Sequence, residues 1–165
     1  MTINDMIHIR KINSKDWEVL KSIRLCALQE SPSAFDESYD SCVNMDESFW
    51  KERATSTSTK AVFIAFNDTH PVGNTACFIV NNIFHLAGMW VAVEFRRNNI
   101  ASHLLKNVID FAKSINWTRI YLWVTVGNIP ANSFYTKMGF KYEGIFKDLE
   151  SINGYKTQRM YKDII

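Results

Sequence analysis

The 165 residues are 47% hydrophobic and 22% charged and carry a formal charge of +2, the balance of a single globular domain with a full core. That charge is too small, and the Lys and Arg too scattered, for nucleic acid to be the main partner, and no apolar run reaches membrane-spanning length. Cys26, Cys42 and Cys77 show no metal spacing and the four histidines do not pair as ligands, so no metal is expected; with no leader-like apolar core in MTINDMIHIR, the expected place is the cytoplasm, with free thiols.

In residues 6–12, Ile7, Ile9 and Lys11 alternate with His8, Arg10 and Ile12, the pattern of a first strand. Ser14 stands as a helix N-cap, with Asp16 and Glu18 in the first turn. The helix carries Trp17, Leu20, Ile23, Leu25, Cys26 and Leu28, and Ser31-Pro32 stops it. Residues 31–50 hold no Lys or Arg but hold Asp36, Glu37, Asp40, Asp46 and Glu47. Such a run reads first as a solvated loop; beside a site it would favour a cationic substrate. Asn44 followed by Glu47 resembles a capping box and predicts a second helix over 45–54. Residues 61–66 and 74–81 predict two strands joined by a turn-rich link over 67–73.

Asn81-Asn82 turns into the stretch around which the chain is organised, FHLAGMWVAVEFRRNNIASHLLKNVIDF, residues 84–111. It begins as a strand in which Phe84, Leu86 and Trp90 alternate with His85, Ala87, Met89 and Val91. The polar turn from Glu94 to Asn99 follows. It ends as a helix with an apolar stripe of Ile100, Leu104, Val108 and Phe111, flanked by Leu105, Ile109 and Ala112. A strand, a tight turn and a helix in succession aim the unpaired N–H groups of the helix start into one small volume, and the helix dipole adds positive charge there. Arg96 and Arg97 precede them, which is the local physics of a phosphate site. A plain strand-turn-helix unit with a solvated basic turn would carry the same residues.

Residues 118–126, TRIYLWVTV, give the strongest strand signal in the chain, and a strand reached through a helix pairs in parallel with the one before it. A short helix over 130–138 follows, with Pro130 in its first turn and Gly139 at its end. Residues 140–146 and 155–161 form a last hairpin. The expected fold class is α/β: one domain over 1–165, with helices covering a mixed sheet, mostly antiparallel but with one parallel pair in its middle. Ligands favour the crevice where such a pair diverges. No G-x-G-x-x-G follows the first strand, which excludes a Rossmann dinucleotide site.

The run GMWVAVEFRRNNIASHLL resembles the acyl-CoA-binding signature of the GNAT N-acyltransferase superfamily, with Arg96-Arg97-Asn98-Asn99-Ile100-Ala101 at its Arg/Gln-x-x-Gly-x-Gly/Ala core. Asn128 to Phe140, NIPANSFYTKMGF, is similar to the superfamily's second signature, Asn-x-x-Ala-x-x-x-Tyr-x-x-x-Gly-Phe. RLCAL at 24–28 with SPSAF at 31–35 also resembles bacterial members. The likeness spans nearly the whole chain. One departure is that Asn99, and often Arg97, stand where the superfamily prefers glycine; Asn is the next most tolerant residue of a left-handed backbone.

The resemblance implies an acetyl-CoA-dependent N-acetyltransferase working by direct transfer in a ternary complex, without a metal. It assigns the phosphates to Arg96, Arg97, Asn98, Asn99, Ile100, Ala101 and Ser102. It assigns the oxyanion and the pantetheine arm to the backbone of a bulged central strand at Met89, Trp90 and Val91, with Asn128, Ala131 and Tyr135 completing the cofactor site. Tyr135 matches the general acid, a phenol handing its proton to the departing thiolate; half-buried packing beside Phe134 and Phe140 is the other reading. Asn128 serves the pantetheine or simply the turn after Gly127. His85, eleven residues before Arg96, stands where some members carry a base, with Glu94 and water as the alternatives. Cys77 has no partner placed to activate it and reads as a small buried strand residue. Phe35, Tyr39 and His85 are the candidates for the acceptor, with Phe49 and Trp50 of the 31–50 segment and Asp148, Glu150 and Tyr155 of the 148–155 loop expected beside them. The expected acceptor is a small-molecule amine. A protein N-terminus or lysine, or a non-catalytic acyl-CoA-binding role, stays open, and the last hairpin could pair in a homodimer.

Overall fold

A seven-stranded sheet organises residues 6–165, which the computed structural model describes. The first half of the stretch read against a leader, residues 1–5, lies outside them. Strand β1 (Ile7–Lys11) leads into helices α1 (Trp17–Glu30), α2 (Tyr39–Cys42) and α3 (Glu47–Ala54). Strands β2 (Lys60–Asn67), β3 (His70–Val80) and β4 (Ile83–Val91) run as a meander. Helix α4 (Ile100–Ser114) crosses to β5 (Arg119–Thr125), and α5 (Ile129–Lys137) precedes the hairpin of β6 (Lys141–Asp148) and β7 (Lys156–Asp163). The spatial order is β1-β2-β3-β4-β5-β7-β6. Among the described residues only β4 and β5 pair in parallel, as the crossover through α4 requires.

Each face of the sheet buries its own core. The stripe of α4 (Ile100, Leu104, Leu105, Val108 and Ala112) packs with α5 on one face, against Phe84, Leu86, Ile120 and Leu122. On the other, Leu20, Ile23, Ala27 and Leu28 of α1 and Trp50 of α3 cover Val62, Ile64 and Phe66 of β2. Phe111 and Ile109, expected on the buried stripe of α4, are only partly covered.

Four local expectations are corrected, each by a specific interaction. The first helix is capped by Asn13, not Ser14: a one-turn 3-10 segment, Ser14–Asp16, precedes α1, and the Asn13 and Asp16 side chains cap each other's backbone. Asp46, not Asn44, caps α3, accepting from the Phe49 N–H at 2.9 Å, and the extra turn α2 is capped by Ser38. The link expected over 67–73 shrinks to Asp68-Thr69, with Asn67 opposite His70, because Asp68 takes the left-handed backbone that so short a turn needs. Finally, Trp90 does not share a face with Phe84 and Leu86. Gly88, at φ +65°, inserts a bulge that shifts the β3–β4 register from Ala76↔Ala87 to Asn74↔Trp90. Beyond it Val91 points into the α4 core and Trp90 packs towards α1.

Candidate active site

The sheet splits where β4 bulges. The parallel register between β4 and β5 is confined to His85↔Tyr121; beyond that pair the strands diverge, and their facing edges are left without a ladder. A cleft of about 900 Å³ opens there, within the usual range for a small-molecule site. Its walls are Met89, Trp90 and Val91 of β4, the 125–128 end of β5, and Ala131, Phe134 and Tyr135 of α5. A smaller cavity of about 70 Å³ lies between the two strands, walled by Ala87, Gly88, Met89, Trp123, Phe35 and Tyr135. Tyr135 and Phe35 line both spaces.

The turn before α4 builds the far end of the cleft. Arg97 (φ +66°) and Asn99 (φ +59°) adopt the left-handed backbone for which glycine is preferred. Asn99 provides no side-chain cap to α4, whereas Asp46 caps α3 and Asn128 caps α5. The first N–H groups of α4 are therefore free of any side-chain acceptor, and the dipole makes their surroundings positive. Arg96, Arg97, Asn99, Ala101 and Ser102 all face the cleft; with Lys137 they set three cations against one carboxylate, Glu30. Arg96 donates to the Val91 carbonyl at 2.9 Å and to Glu30 at 2.8 Å. The side chains of two residues expected here point elsewhere. Asn98 donates to the Phe95 and Arg96 carbonyls and so shapes the turn from within, and Ile100 is buried in the α4 core, leaving only its backbone to the site.

Tyr135 is 7% exposed, edge-on to Phe134 and Phe140. Burial pushes its phenol well above the ordinary value, so the hydroxyl keeps its proton throughout the neutral range. The Asn128 oxygen accepts from the Ala131 N–H at 3.3 Å, so this side chain holds the end of β5 and the start of α5 together while lining the cleft. His85 is not brought to either cavity. It stacks on Phe78 at 5.5 Å across the sheet face that carries Trp123 and Arg159. Burial, with the charges of Arg159 and Lys147, lowers its pKa from the usual 6.5. Tyr39 belongs to the α1 core rather than the cleft, as does Trp50, whereas Tyr155 reaches the cleft wall. Cys77 is fully buried and its thiol is pushed up to about 12 by burial, an inert strand residue as expected.

Most of the acidic run is bonded within the fold. Asp36 pairs with Lys147 at 2.9 Å, Glu37 with Arg24 and Arg53, and Asp46 with the start of α3. Sequence reasoning passed over Glu30, which also accepts from the Trp90 indole at 2.8 Å. A carboxylate in the last turn of a helix opposes the dipole, and that misfit was the available signal. It also passed over Asn74, a buried amide in mid-strand, and over Thr125, whose hydroxyl donates to the Ser33 carbonyl at 2.6 Å and ties the 31–36 segment to the end of β5.

Comparison with known proteins agrees with this geometry. Residues 18–140 match the model of the acetyltransferase (GNAT) family. The L-amino acid N-acetyltransferase AaaT of Escherichia coli (strain K12) is 27% identical over 167 aligned positions, covering 94% of this chain and 95% of that protein. A Bacillus subtilis (strain 168) protein, provisionally named a ribosomal protein bS18 alanine N-acetyltransferase, is 28% identical over 87 residues, which span 53% of this chain and 58% of that protein. The crystal structure of a GNAT-family acetyltransferase from Streptococcus pneumoniae superposes with a TM-score of 0.79 at 21% identity, over 96% of this chain and 99% of that one.

Proposed function

The chain belongs to the acetyltransferase (GNAT) family, an acetyl-CoA-dependent N-acetyltransferase by that membership, and we propose that its acceptor is the primary amine of a small molecule. The phosphates of the cosubstrate lie against the uncapped start of α4, with Arg96 and Arg97 beside them. The pantetheine arm runs as an extra strand along the unladdered edges of β4 and β5. That path delivers the thioester to the Gly88 bulge, where the backbone N–H groups on the β5 side of the strand, those of Met89 and Val91, face the developing oxyanion.

The amine attacks the thioester carbonyl and the oxyanion collapses. The C–S bond breaks and Tyr135 gives its proton to the leaving thiolate, while the amine loses a proton to water. A phenol that burial keeps protonated is suited to that donation. Phe35 and the small cavity favour a compact acceptor over a polypeptide, because the 31–36 segment is bonded to the end of β5 and to the last hairpin and closes the site from that side.

The observation that carries this reading is the coincidence, in one cleft, of a bulged strand edge, an uncapped helix start and a buried tyrosine. Thiol release from acetyl-CoA is the test, with a panel of small primary amines beside N-terminal and lysyl peptides. Turnover with small amines, at a kcat/KM above that of every peptide, is expected. Turnover confined to peptides would overturn the choice of acceptor.

A further inference from the structure

Glu30 stands where two physical rules disfavour it. It is the last residue of α1, where a negative charge opposes the helix dipole, and it lines an otherwise cationic cleft, the seat proposed for the phosphates of the cosubstrate. Local rules are broken in this way where a function compensates for the cost. The ion pair with Arg96 does not compensate through the stability of the fold. The Arg96 and Glu30 side chains are 43% and 34% exposed, and a pair so open to solvent adds little to stability.

The compensation lies in what the carboxylate does to the guanidinium. One oxygen of Glu30, Oε2, accepts from the Ser31 hydroxyl, from the Trp90 indole at 2.8 Å and from Arg96 Nη2 at 2.8 Å. Ser31 and Trp90 thus fix that oxygen from the end of α1 and from β4, and Arg96 docks on a fixed point. Arg96 Nε donates to the Val91 carbonyl at 2.9 Å. Nε and Nη2 share one edge of the planar guanidinium, so that edge is spent on the protein. The other edge, Nη1 with the second hydrogen of Nη2, bonds to no group of the described residues, and Arg96 lines the cleft. Such an edge can take two phosphate oxygens at once. The Val91 carbonyl lies on the β5 side of β4, so Arg96 also closes the free edge along which the pantetheine arm runs. Arm and phosphates meet at this one side chain.

We propose that Glu30 is a positioning residue for the cosubstrate, holding one edge of Arg96 so that the opposite edge meets the phosphates. An unrestrained arginine would have to be ordered as the cosubstrate binds; Glu30 orders it beforehand. Arg97 and Lys137 keep the cleft cationic despite the carboxylate. This deepens, and rests on, the reading of the cleft as an acetyl-CoA site.

The test is a double-mutant cycle in coenzyme A affinity, read by calorimetry on the wild type, Glu30→Ala, Arg96→Ala and the double variant, with melting curves to report folding. Glu30→Ala should weaken binding about threefold to tenfold, the worth of one side chain ordered in advance. In the Arg96→Ala background the same substitution should weaken it no further. Glu30→Gln keeps an oxygen for the Trp90 indole but drops the charge that holds Arg96. It runs the same cycle should Glu30→Ala fail to fold, and its loss should likewise vanish without Arg96. A second arm compares acetyl-CoA with S-acetylpantetheine, which carries the thioester and the arm without the phosphates, using the small amine that the wild type acetylates fastest. Glu30→Ala should lower kcat/KM for acetyl-CoA and leave that for S-acetylpantetheine within about twofold. Unchanged or tighter coenzyme A binding by Glu30→Ala would overturn the proposal and leave the carboxylate as an opponent of the phosphates. So would an equal loss in both Arg96 backgrounds, or an equal loss for both thioesters, the marks of a residue that only supports the end of α1. A wild type that binds no coenzyme A would instead remove the reading of the cleft beneath it.

Discussion

At the level of single residues, the roles divide by what each group can lose. Tyr135→Phe removes a proton donor but leaves the ring between Phe134 and Phe140. It should lower kcat about 10²-fold or more and leave the acetyl-CoA dissociation constant within about threefold; equal losses in both would deny Tyr135 its part in proton transfer. Arg96→Ala removes a cation from the cleft and should raise the acetyl-CoA KM about tenfold at low salt, with a smaller effect at high salt. His85 lies outside both cavities, so His85→Ala should leave the acidic limb of the pH–rate profile in place; a flattened limb would make it the base after all. That Arg96, Asn99 and Tyr135 come together at one cleft was legible in the sequence, because each stands in a local motif whose neighbours lie a few residues away. Glu30 and Arg24 were not, because each acquires its meaning from a partner on another element: Glu30 meets Arg96 from 66 residues away.

Among the elements, the turn into α4 and the bulge in β4 do most to place the site. Asn99 holds φ +59° without capping the helix, a compromise between backbone tolerance and an open anion site. Asn99→Ala should cost about 1 kcal/mol in unfolding free energy, since alanine tolerates that backbone poorly, and should weaken acetyl-CoA binding as the turn relaxes. Asn99→Gly should keep both; an alanine variant as stable as the wild type would mean that the turn is unstrained. Apart from the one-turn α2, helices, strands and their order could be read from periodicity, and Pro130 and Gly139 located α5 to within a residue. Periodicity did not show the bulge, which only the resemblance implied, because the alternation of β4 reads as continuous: glycine at position 88 is one residue among nine, and the slip it causes becomes visible through the partner register with β3. The caps slipped for a related reason. Asn13, Ser14, Asn44 and Asp46 are all competent caps, and the backbone path selects among them.

Across the whole molecule, the two halves of the site are held by long-range ion pairs. Glu37 joins α1 to α3 through Arg24 and Arg53, and Asp36 joins the same segment to β6 through Lys147. Burial alone would raise the Glu37 pKa, but the hydrogen bonds and charges of Arg53 and Arg24 outweigh it and hold it below the usual 4.5. Its contribution is therefore complete above that value and is lost as the pH falls through the lower folded value. His85, also lowered from its usual value, favours the unfolded state as soon as the pH drops below 6.5, where the unfolded chain takes up the proton first. Melting temperature should decline in both windows. Glu37→Gln should remove the lower one and cost about 3 kcal/mol, or roughly 6–12 °C, by leaving the Arg24 charge without the carboxylate that pairs with it. An unchanged acid profile would show that this cluster does not couple the helices.

The measurement that bears most directly on the site is a calorimetric titration of the purified protein with acetyl-CoA, beside free coenzyme A and NADH. We expect one site per chain for both coenzyme A species, weakened by Arg96→Ala, and no heat with NADH. Absence of binding by either coenzyme A species would contradict the assignment of the split between β4 and β5 as a cosubstrate site.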